Sequence, residues 1–448
     1  MKQKNYEFLK WFLRFSYVTL LLVVESLGFY YFWMTAYVKE VYLDPFYFWG
    51  DIYLTILYAM FLFLFMNVFG GLKLGYLKRR STTYTQLLST LCANAVSFLL
   101  IILLVRSVPT ILPLIKLTVL DMIAVVAVTL ISEWIFYEAF PARRLLLIYG
   151  NDENEQIEDK MEDRNDRFVV VAKMSASESF AKLEEEIMKY DGVVLSDVHS
   201  DKRNLLLKFC YGNAIRVYMT PKLSDVMIRS AEMLHIFDSP LLLARNYGLT
   251  TFDQFWKRVV DILISATLIL LSLPIMLIVA ICIKVYDGGP VLFKQTRLTR
   301  NYKEFSMYKF RSMVTNAEKE GECVLASKND DRVTPIGEIL RKTRLDELPQ
   351  LFNVLLGDMS MVGPRPERPF FAEKYQQNMP EFAFRLDVKA GLTGYAQVYG
   401  KYNTSPYDKL KMDLMYIENY SLWQDLKIML MTLKVVFMKA SAEGVDEG

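Results

Sequence analysis

Four long apolar stretches fill the first third of the 448-residue chain and limit how it can fold. They run over residues 11–36, 46–69, 87–105 and 111–137, and each is long enough to cross about 30 Å of hydrocarbon. Hydrophobic residues make up 53% of the sequence, whereas the net charge of +2 does not indicate a nucleic-acid-binding protein. We therefore expect a membrane protein with an N-terminal four-helix transmembrane bundle over residues 1–142.

Charged residues indicate how this bundle is oriented. A basic segment, residues 78–80, lies between the second and third stretches, and Arg143 and Arg144 follow the fourth. The positive-inside rule then places both ends of the bundle in the cytoplasm. Charges inside membrane segments are functional candidates unless they pair with each other or lie at the interface. Three such charges occur here, at Glu25, Lys116 and Asp121.

A Rossmann-like α/β domain is predicted for residues 143–248. Apolar strand-like runs such as "RRLLLIYG" and "RFVVVAKM" alternate with helical segments, which is the pattern of a parallel sheet. The first strand is followed by "GNDENEQ" rather than GxGxxG, and Asp152 and Glu153 would repel a pyrophosphate. We therefore interpret the nucleotide site as degenerate and favour a structural, regulatory or oligomerising role for this domain.

A fifth apolar stretch, residues 259–283, is long enough to span a membrane. The segment that follows it is rich in Lys and Arg, and such a flank resists translocation. Pro274 removes one helical hydrogen bond near the middle, and Ser272 can bond the backbone nearby. We therefore predict a re-entrant helix over residues 252–284 that bends at Ser272–Pro274 and returns to the same face. The alternative is an ordinary kinked span.

An adjacent acidic pair, Asp346 and Glu347, stands in "RLDELPQLFNVLLGDMSMVGPRPE". It is compatible with a plain helix start, with Asp346 as N-cap and Gly357 as the C-terminal stop. It is also compatible with phosphoryl chemistry, since one carboxylate can hold Mg²⁺ and the other can attack phosphorus. Basic side chains would then neutralise charge on the phosphate oxygens.

Two further segments lie close to this pair in sequence. Pro364 and Pro366 fix the backbone around Arg365, which becomes an oriented planar donor. The glycines of "GLTGYAQVYG" permit either a close backbone approach to a ligand or plain turns. The aromatic and basic tail from residue 413 onward suits amphipathic helices on a membrane surface.

Taken in order, five motifs of residues 249–448 resemble the bacterial sugar transferases, the monotopic phosphoglycosyl transferases. The motifs are "FDQFWKRVVDILIS", "GGPVLFKQTR", "KFRSM", "LRKTRLDELPQLFNVLLGDMSMVGPRPE" and "GLTGYAQVYG". The resemblance implies an α+β catalytic domain with the re-entrant helix and C-terminal amphipathic helices. With the preceding domains, the layout resembles the large form that starts exopolysaccharide, capsule or O-antigen assembly.

The resemblance implies a two-step transfer. Asp346 would attack the β-phosphate of a UDP-sugar and release UMP, and the phosphosugar would pass to undecaprenyl phosphate. Glu347 would carry Mg²⁺, and Arg341 matches a family arginine five residues before the nucleophile. The remaining residues that it places at the site are Lys309 and Arg311 of the KFR motif, and Pro364, Arg365 and Pro366 for the uridine nucleotide. Arg344 departs from the family, since several members have a small polar residue there, and it would add a phosphate contact.

Other implications concern the membrane and the partners. Ser272 and Pro274 match the break of the family's re-entrant helix. Thr299 and Tyr302 stand where the family often has glycines, so the shape of that loop is expected to differ. We expect the bacterial inner membrane, with the middle and catalytic domains in the cytoplasm, and a homodimer. The alternatives are a non-catalytic membrane sensor or scaffold, and direct transfer with Asp346 as a base.

Overall fold

The computed structural model describes residues 2–38, 49–150, 155–245, 248–314, 330–400 and 404–437. Their internal contacts divide the chain into two compact units, Met1–Thr220 and Pro221–Gly448. Residues 221–248, which the sequence analysis groups with the middle domain, therefore belong to the second unit. The physical reason is tertiary packing, since Val226 lies in the hydrophobic core of that unit.

The first unit begins with four long helices that pack on each other. They are α1 (Lys2–Phe32), α2 (Gly50–Phe69), α3 (Arg79–Val105) and α4 (Leu112–Ala139), with a π-helical turn at Trp33–Tyr37 after α1. Helix α1 contacts α2 and α4, and α3 contacts the same two helices. All four are long and apolar enough to cross a membrane. Residues 46–48, with which the second stretch is predicted to begin, lie outside the described residues.

The three charges predicted inside these helices have different environments. Glu25 is buried and accepts a hydrogen bond from Thr90 Oγ1 at 2.8 Å. Asp121 is also buried and accepts one from Asn94 Nδ2 at 3.2 Å. Lys116, by contrast, lies on an exposed part of α4. The two carboxylates are thus satisfied by neutral polar groups between the helices.

The rest of the first unit is a four-stranded parallel sheet, as the sequence predicts. Its strand order is β2-β1-β3-β4, and its core includes the buried residues Leu145–Ile148 of β1. The strands are β1 (Arg143–Tyr149), β2 (Phe168–Ser175), β3 (Gly192–Ser196) and β4 (Arg216–Met219), and the helices are α5 (Glu155–Glu162), α6 (Phe180–Ile187) and α7 (Ser200–Gly212). Asp152 and Glu153, the residues that predict a degenerate nucleotide site, lie outside the described residues.

The second unit combines short helices with three small two-stranded sheets. The pairs β5–β6 and β7–β8 are antiparallel, and β9–β10 is parallel. The strands are β5 (Glu232–Ile236), β6 (Ser239–Leu243), β7 (Leu292–Leu298), β8 (Glu304–Phe310), β9 (Ser360–Val362) and β10 (Gly391–Thr393). The helices are α8 (Leu223–Arg229), α9 (Thr251–Asp287), α10 (Pro335–Thr343), α11 (Gln350–Leu356), α12 (Pro369–Asn378), α13 (Tyr395–Tyr399), α14 (Pro406–Glu418) and α15 (Leu422–Phe437).

Helix α9 contains the fifth apolar stretch and is 37 residues long. Thr250 caps its first turn by accepting from the Asp253 amide, and Gly288 ends it with a φ of 71°. The helix runs past Pro274, which leaves the carbonyl four residues earlier without its amide donor. Ser272 Oγ donates to the Leu268 carbonyl at 2.6 Å, so the expected side-chain bond to the backbone is present, but two positions before the carbonyl that Pro274 leaves free.

Both halves of α9 contact the same unit. Near its start, Arg258 donates to the Val354 and Leu355 carbonyls at 2.7 and 2.8 Å. In its second half, Met276 and Ile283 pack in a cluster with residues of β8 and α10. The opposite face is bare and apolar, and its most exposed side chains include Leu270 at 72%. One side of the helix is therefore covered by protein in its first and last thirds, whereas residues 266–275 contain no buried side chain, and the bare apolar surface suits an apolar environment.

Candidate active site

The acidic pair follows a sharp reversal of the chain. Helix α10 ends at Thr343, and Arg344 then adopts a left-handed conformation with a φ of 56°. Such a conformation costs a residue with a side chain about 1–2 kcal/mol, so packing must hold it in place. The reversal starts a 3-10 turn, Leu345–Glu347, which carries both carboxylates.

The expected helix start at Asp346 is not what the structure contains. Helix α11 begins at Gln350, with Pro349 in the N-cap position, because the amides of Glu347 and Leu348 bond carbonyls three residues back rather than four. The expected stop at Gly357 is confirmed, since it ends α11 with a φ of 96°. Positive charge at the acidic pair therefore comes from side chains rather than from a helix end.

Lys309 lies between the two carboxylates. It stands near the end of β8, where it pairs with Phe293 of β7 across the hairpin. Its Nζ is 3.4 Å from Glu347 Oε1 and 4.0 Å from Asp346 Oδ2. Two arginines complete the contacts of Glu347: Arg365 Nη2 is 3.3 Å from Oε1, and Arg344 Nη1 is 3.5 Å from Oε2.

The two carboxylates therefore sit in different electrostatic environments. Asp346 is buried, and its one ion pair among the described residues is the 4.0 Å contact with Lys309. Burial raises the pKa of Asp346, with partial compensation by Lys309. Burial also acts to raise the pKa of Glu347, but Lys309, Arg365 and Arg344 outweigh it and lower that pKa to about 2. Glu347 is firmly ionised, whereas Asp346 is the more basic carboxylate.

The lysine responds to the same surroundings. Burial lowers the pKa of Lys309, while Glu347 and Asp346 oppose that change. Arg341, also predicted at the site, donates from Nε to Ser312 Oγ at 3.0 Å and adds positive potential at Asp346. The structure thus gathers Lys309, Arg341 and two further arginines around the acidic pair.

Arg311 does not join this group. It forms an ion pair with Asp287 at the end of α9 and is nearly buried, with Gly289 packed against its guanidinium. Its Nε and Nη1 have no hydrogen-bond partner among the described residues. The KFR motif therefore divides: Lys309, within β8, reaches the acidic pair, whereas Arg311, one residue past the end of β8, reaches Asp287 of α9.

The turn that contains Pro364, Arg365 and Pro366 is held by backbone contacts. The Gly391 amide donates to the Pro364 carbonyl at 2.9 Å, and Arg297 Nη1 donates to the Pro366 carbonyl at 3.1 Å. A Cβ on Gly391 would lie 2.1 Å from a backbone atom of the same loop, at Gly363. This glycine thus permits close packing of two backbone segments rather than of a ligand. A small, mostly apolar cleft lies along this turn.

A buried ion pair that no sequence motif indicates lies beneath the turn. Arg385 Nε is 2.7 Å from Asp413 Oδ2, and the two side chains are 4% and 1% exposed. Arg385 Nη2 also donates to the Arg365 carbonyl at 3.1 Å, and its Nη1 lies 3.6 Å from Glu367. Arg385 therefore fixes the backbone that carries Arg365. No local motif could have revealed it, since the contacts join residues that are about 20 to 30 positions apart.

Together, these features describe a membrane-associated protein whose α+β unit holds an acidic pair among cations, beside a long apolar helix. The model of the bacterial sugar transferase family matches residues 252–439. A UDP-glucose:undecaprenyl-phosphate glucose-1-phosphate transferase of Caulobacter vibrioides is 43% identical over 183 residues, which are 40% of this chain and 68% of that protein. The chain belongs to the bacterial sugar transferase family.

Two longer relatives match a larger part of the chain. The UDP-N-acetylgalactosamine-undecaprenyl-phosphate N-acetylgalactosaminephosphotransferase of Aeromonas hydrophila is 37% identical over 256 residues, 56% of this chain and 59% of that protein. A UDP-glucose:undecaprenyl-phosphate glucose-1-phosphate transferase of Klebsiella pneumoniae is 40% identical over 220 residues, 48% of this chain and 45% of that protein. The chain thus spans about half the length of these two relatives.

Proposed function

We propose that this protein transfers a sugar-1-phosphate from a UDP-sugar to undecaprenyl phosphate through a covalent intermediate on Asp346. An oxygen of Asp346 attacks the β-phosphorus, the bond from that phosphorus to the bridging oxygen breaks, and UMP leaves with that oxygen. A phosphate oxygen of the lipid then attacks the aspartyl phosphorus. The Asp346 oxygen leaves and the carboxylate is restored, giving undecaprenyl-diphospho-sugar.

The observation that carries this proposal is that the two carboxylates have different electrostatic environments. A nucleophile needs an ionised oxygen that is not already neutralised by close ion pairs. Asp346 meets that need, because its nearest cation is 4.0 Å away; burial raises its pKa, which makes the carboxylate a stronger nucleophile once it is ionised. Glu347 does not, since Lys309 and two arginines surround it within 3.5 Å. The same cations are placed to stabilise negative charge on a transferred phosphoryl group.

Mg²⁺ fits this site in a limited way. Among the described residues there is no group of three His, Cys, Asp or Glu side chains that could hold a metal ion. Mg²⁺ is commonly bound by one or two carboxylates together with substrate phosphates, and Glu347 stays ionised. We therefore assign Glu347 as a single protein ligand, with the donor diphosphate supplying others. When bound, the ion would neutralise charge on the diphosphate.

The donor nucleotide is assigned to the cleft along the turn of Pro364, Arg365 and Pro366. Its lining includes Val388 and Ala390, which offer apolar surface, and Arg365, which reaches Glu347. A nucleotide in this cleft would have its diphosphate directed towards the acidic pair. The two longer relatives are named for different sugars, N-acetylgalactosamine and glucose, and a panel of UDP-sugars distinguishes between such donors.

The acceptor assignment rests on α9 and on the names of the relatives. A spanning helix separates its ends by about 30 Å of hydrocarbon. Arg258 near the start of α9 and Ile283 near its end instead contact one and the same unit. This supports a helix that enters and leaves by one face, here the cytoplasmic face of the bacterial inner membrane. The catalytic unit would then meet undecaprenyl phosphate at the membrane surface.

The test is UMP release from a panel of UDP-sugars with purified full-length protein and Mg²⁺. The covalent route predicts UMP and a phosphosugar adduct on Asp346 before any lipid is added, detected by mass spectrometry of the peptide. Asp346→Asn should abolish both. UMP that appears only after lipid is added indicates direct transfer, and no UMP with any donor indicates a sensor or scaffold.

Topology needs a separate measurement. Protease added to sealed vesicles with the cytoplasmic face inside should leave the C-terminal unit intact if α9 is re-entrant. Cleavage from outside, with the vesicles still sealed, contradicts that arrangement. A control protease site on the opposite side of the membrane shows that the protease is active.

A further inference from the structure

A cluster of four basic side chains lies where the helices of the first unit meet its sheet. Lys10 and Arg14 are one turn apart on α1, Arg143 begins β1, and Arg167 precedes β2. The Arg143 amide donates to the Arg167 carbonyl at 3.0 Å, so these two positions are neighbours. Lys10 is repelled by the positive charges of the other three. We call these four residues the junction cluster.

The nearby carboxylates are committed to other cations. Glu7 forms an ion pair with Arg216 and attracts Lys10 and Arg14 only from beyond 4.0 Å, and Asp166 pairs with Arg164 at 2.9 Å. Among the described residues, no member of the junction cluster has a carboxylate within 4.0 Å. Like charges that crowd together while partly buried raise the energy of the folded chain unless an anion is bound among them.

Aromatic rings, a backbone carbonyl and a tyrosine hydroxyl contact the three arginines instead. Arg14 Nε donates to the Leu74 carbonyl at 3.0 Å, and its guanidinium lies 5.6 Å from the centre of the Phe136 ring. Arg143 Nη1 donates to Tyr218 Oη at 2.9 Å. Each guanidinium has five N–H donors, so these contacts orient the groups and leave most of their donors for an anion.

Arg167 is held in the same manner. Its guanidinium lies 5.1 Å from the centre of the Tyr76 ring and 4.8 Å from that of Phe168. Lys10 has no hydrogen bond among the described residues, and it is partly buried. The neighbouring rings and polar groups thus orient the side chains of the junction cluster but do not neutralise their charge.

The position of the junction cluster points to a lipid. It lies at the ends of α1 and α4 that adjoin the sheet, and these two helices contact each other. On α1, the aromatic residues Phe8, Trp11 and Phe15 are 65%, 58% and 56% exposed, at the level of Lys10 and Arg14. Exposed aromatic rings at a helix end are typical of the boundary between hydrocarbon and head groups.

We propose that the junction cluster binds the phosphate of an anionic phospholipid head group. The phosphate would offset part of the positive charge of the four crowded cations, and the acyl chains of the lipid would lie against the apolar surface of α1. It would also attach the sheet to the membrane at a point independent of the catalytic unit. Each basic side chain near a charged membrane surface contributes roughly a fivefold preference, so loss of two should weaken binding roughly thirtyfold.

The experiment uses the full chain purified in detergent, with bound lipids measured by native mass spectrometry. Wild-type protein should retain phosphatidylglycerol in preference to phosphatidylcholine. Lys10→Gln combined with Arg167→Gln should lose roughly thirtyfold of that preference. The matched control is Arg144→Gln, next to Arg143 in sequence but exposed on β1, and it should behave as wild type.

Two further arms keep the result decisive. The charge-conserving variant Lys10→Arg with Arg167→Lys should retain the lipid, which separates loss of charge from loss of fold. Inorganic phosphate at millimolar concentration should not displace phosphatidylglycerol if the site is built for a head group at the membrane. Equal retention of both lipids by wild type, equal retention of phosphatidylglycerol by wild type and the neutral double variant, or displacement by free phosphate would each overturn the proposal.

Discussion

Replacing Arg385 by Met tests whether the buried pair with Asp413 both stabilises the second unit and positions Arg365. Met fills much of the same space but leaves the Asp413 carboxylate, only 1% exposed, without its counter-ion. Removing one partner of a buried pair costs about 3–5 kcal/mol. For a unit of roughly 200 residues, Tm falls about 2–4 °C per kcal/mol, so we expect a decrease of about 6–20 °C.

A double variant, Arg385→Met with Asp413→Leu, separates the two roles. Apolar replacement of both members of a buried pair is often neutral, so most of the lost Tm should return. The Arg365 carbonyl nevertheless still lacks its donor, which lies 3.1 Å away in the wild type. A hydrogen bond that involves a charged group contributes about 1.5–3 kcal/mol, so kcat/KM for UDP-sugar should stay about tenfold or more below wild type.

Thermal unfolding followed by fluorescence and steady-state UMP release measure the two effects. Lys342→Met is the matched control for stability, because its ion pair with Glu338 is exposed and should change Tm little. A double variant that regains both Tm and kcat/KM would refute the positioning role of Arg385. A wild-type Tm in Arg385→Met alone would show that the buried-charge argument is wrong.

The remaining predictions concern the acidic pair. Lys309→Met should raise the pKa of Asp346 further, because burial raises this pKa and Lys309 opposes the rise. Activity needs ionised Asp346, so the acid limb of the kcat/KM profile should move to higher pH. The control variant Lys303→Met replaces an exposed lysine and should leave the acid limb of the profile where it is in the wild type. If the acid limb also stays in place in Lys309→Met, Asp346 is not the titrating group. Arg365→Ala should raise KM for UDP-sugar roughly tenfold, and unchanged kinetics would remove it from the site. Glu347→Gln should retain UMP release but require more Mg²⁺ in a titration after chelation, and an unchanged requirement would contradict its role as a ligand.

The fold was most predictable where burial leaves a direct trace in the sequence. The buried run Leu145–Ile148 is continuous because the strand is covered on both faces, and it correctly predicted a parallel strand. The domain boundary placed near residue 248 was harder to predict from the sequence, because only the packing of Val226 shows that the short helix α8 belongs to the second unit. Local pattern thus predicts elements better than it predicts the unit to which an element belongs.

Helix α9 shows the same division between local and tertiary information. Its bounds, Thr251–Asp287, lie within a few residues of the predicted 252–284, because apolar length, a capping Thr250 and Gly288 are all visible in the sequence. That Arg258 and Ile283 contact one unit is not visible, since their partners lie more than 25 positions away in sequence. Flanking positive charge disfavours a spanning helix in the sequence, and contact of both ends with one unit disfavours it in the structure.

The acidic pair itself shows why residue types alone did not decide between a helix start and a catalytic site. Asp346 and Glu347 are chemically alike and adjacent, so no propensity distinguishes them. Their difference comes from Arg344, whose left-handed backbone turns the pair towards β8, and from Arg365, 18 positions further along the chain. These two arginines and Lys309 neutralise Glu347 and leave Asp346 with one distant cation. Two carboxylates with separated pKa values permit one to remain a fixed charge while the other forms and breaks a covalent bond.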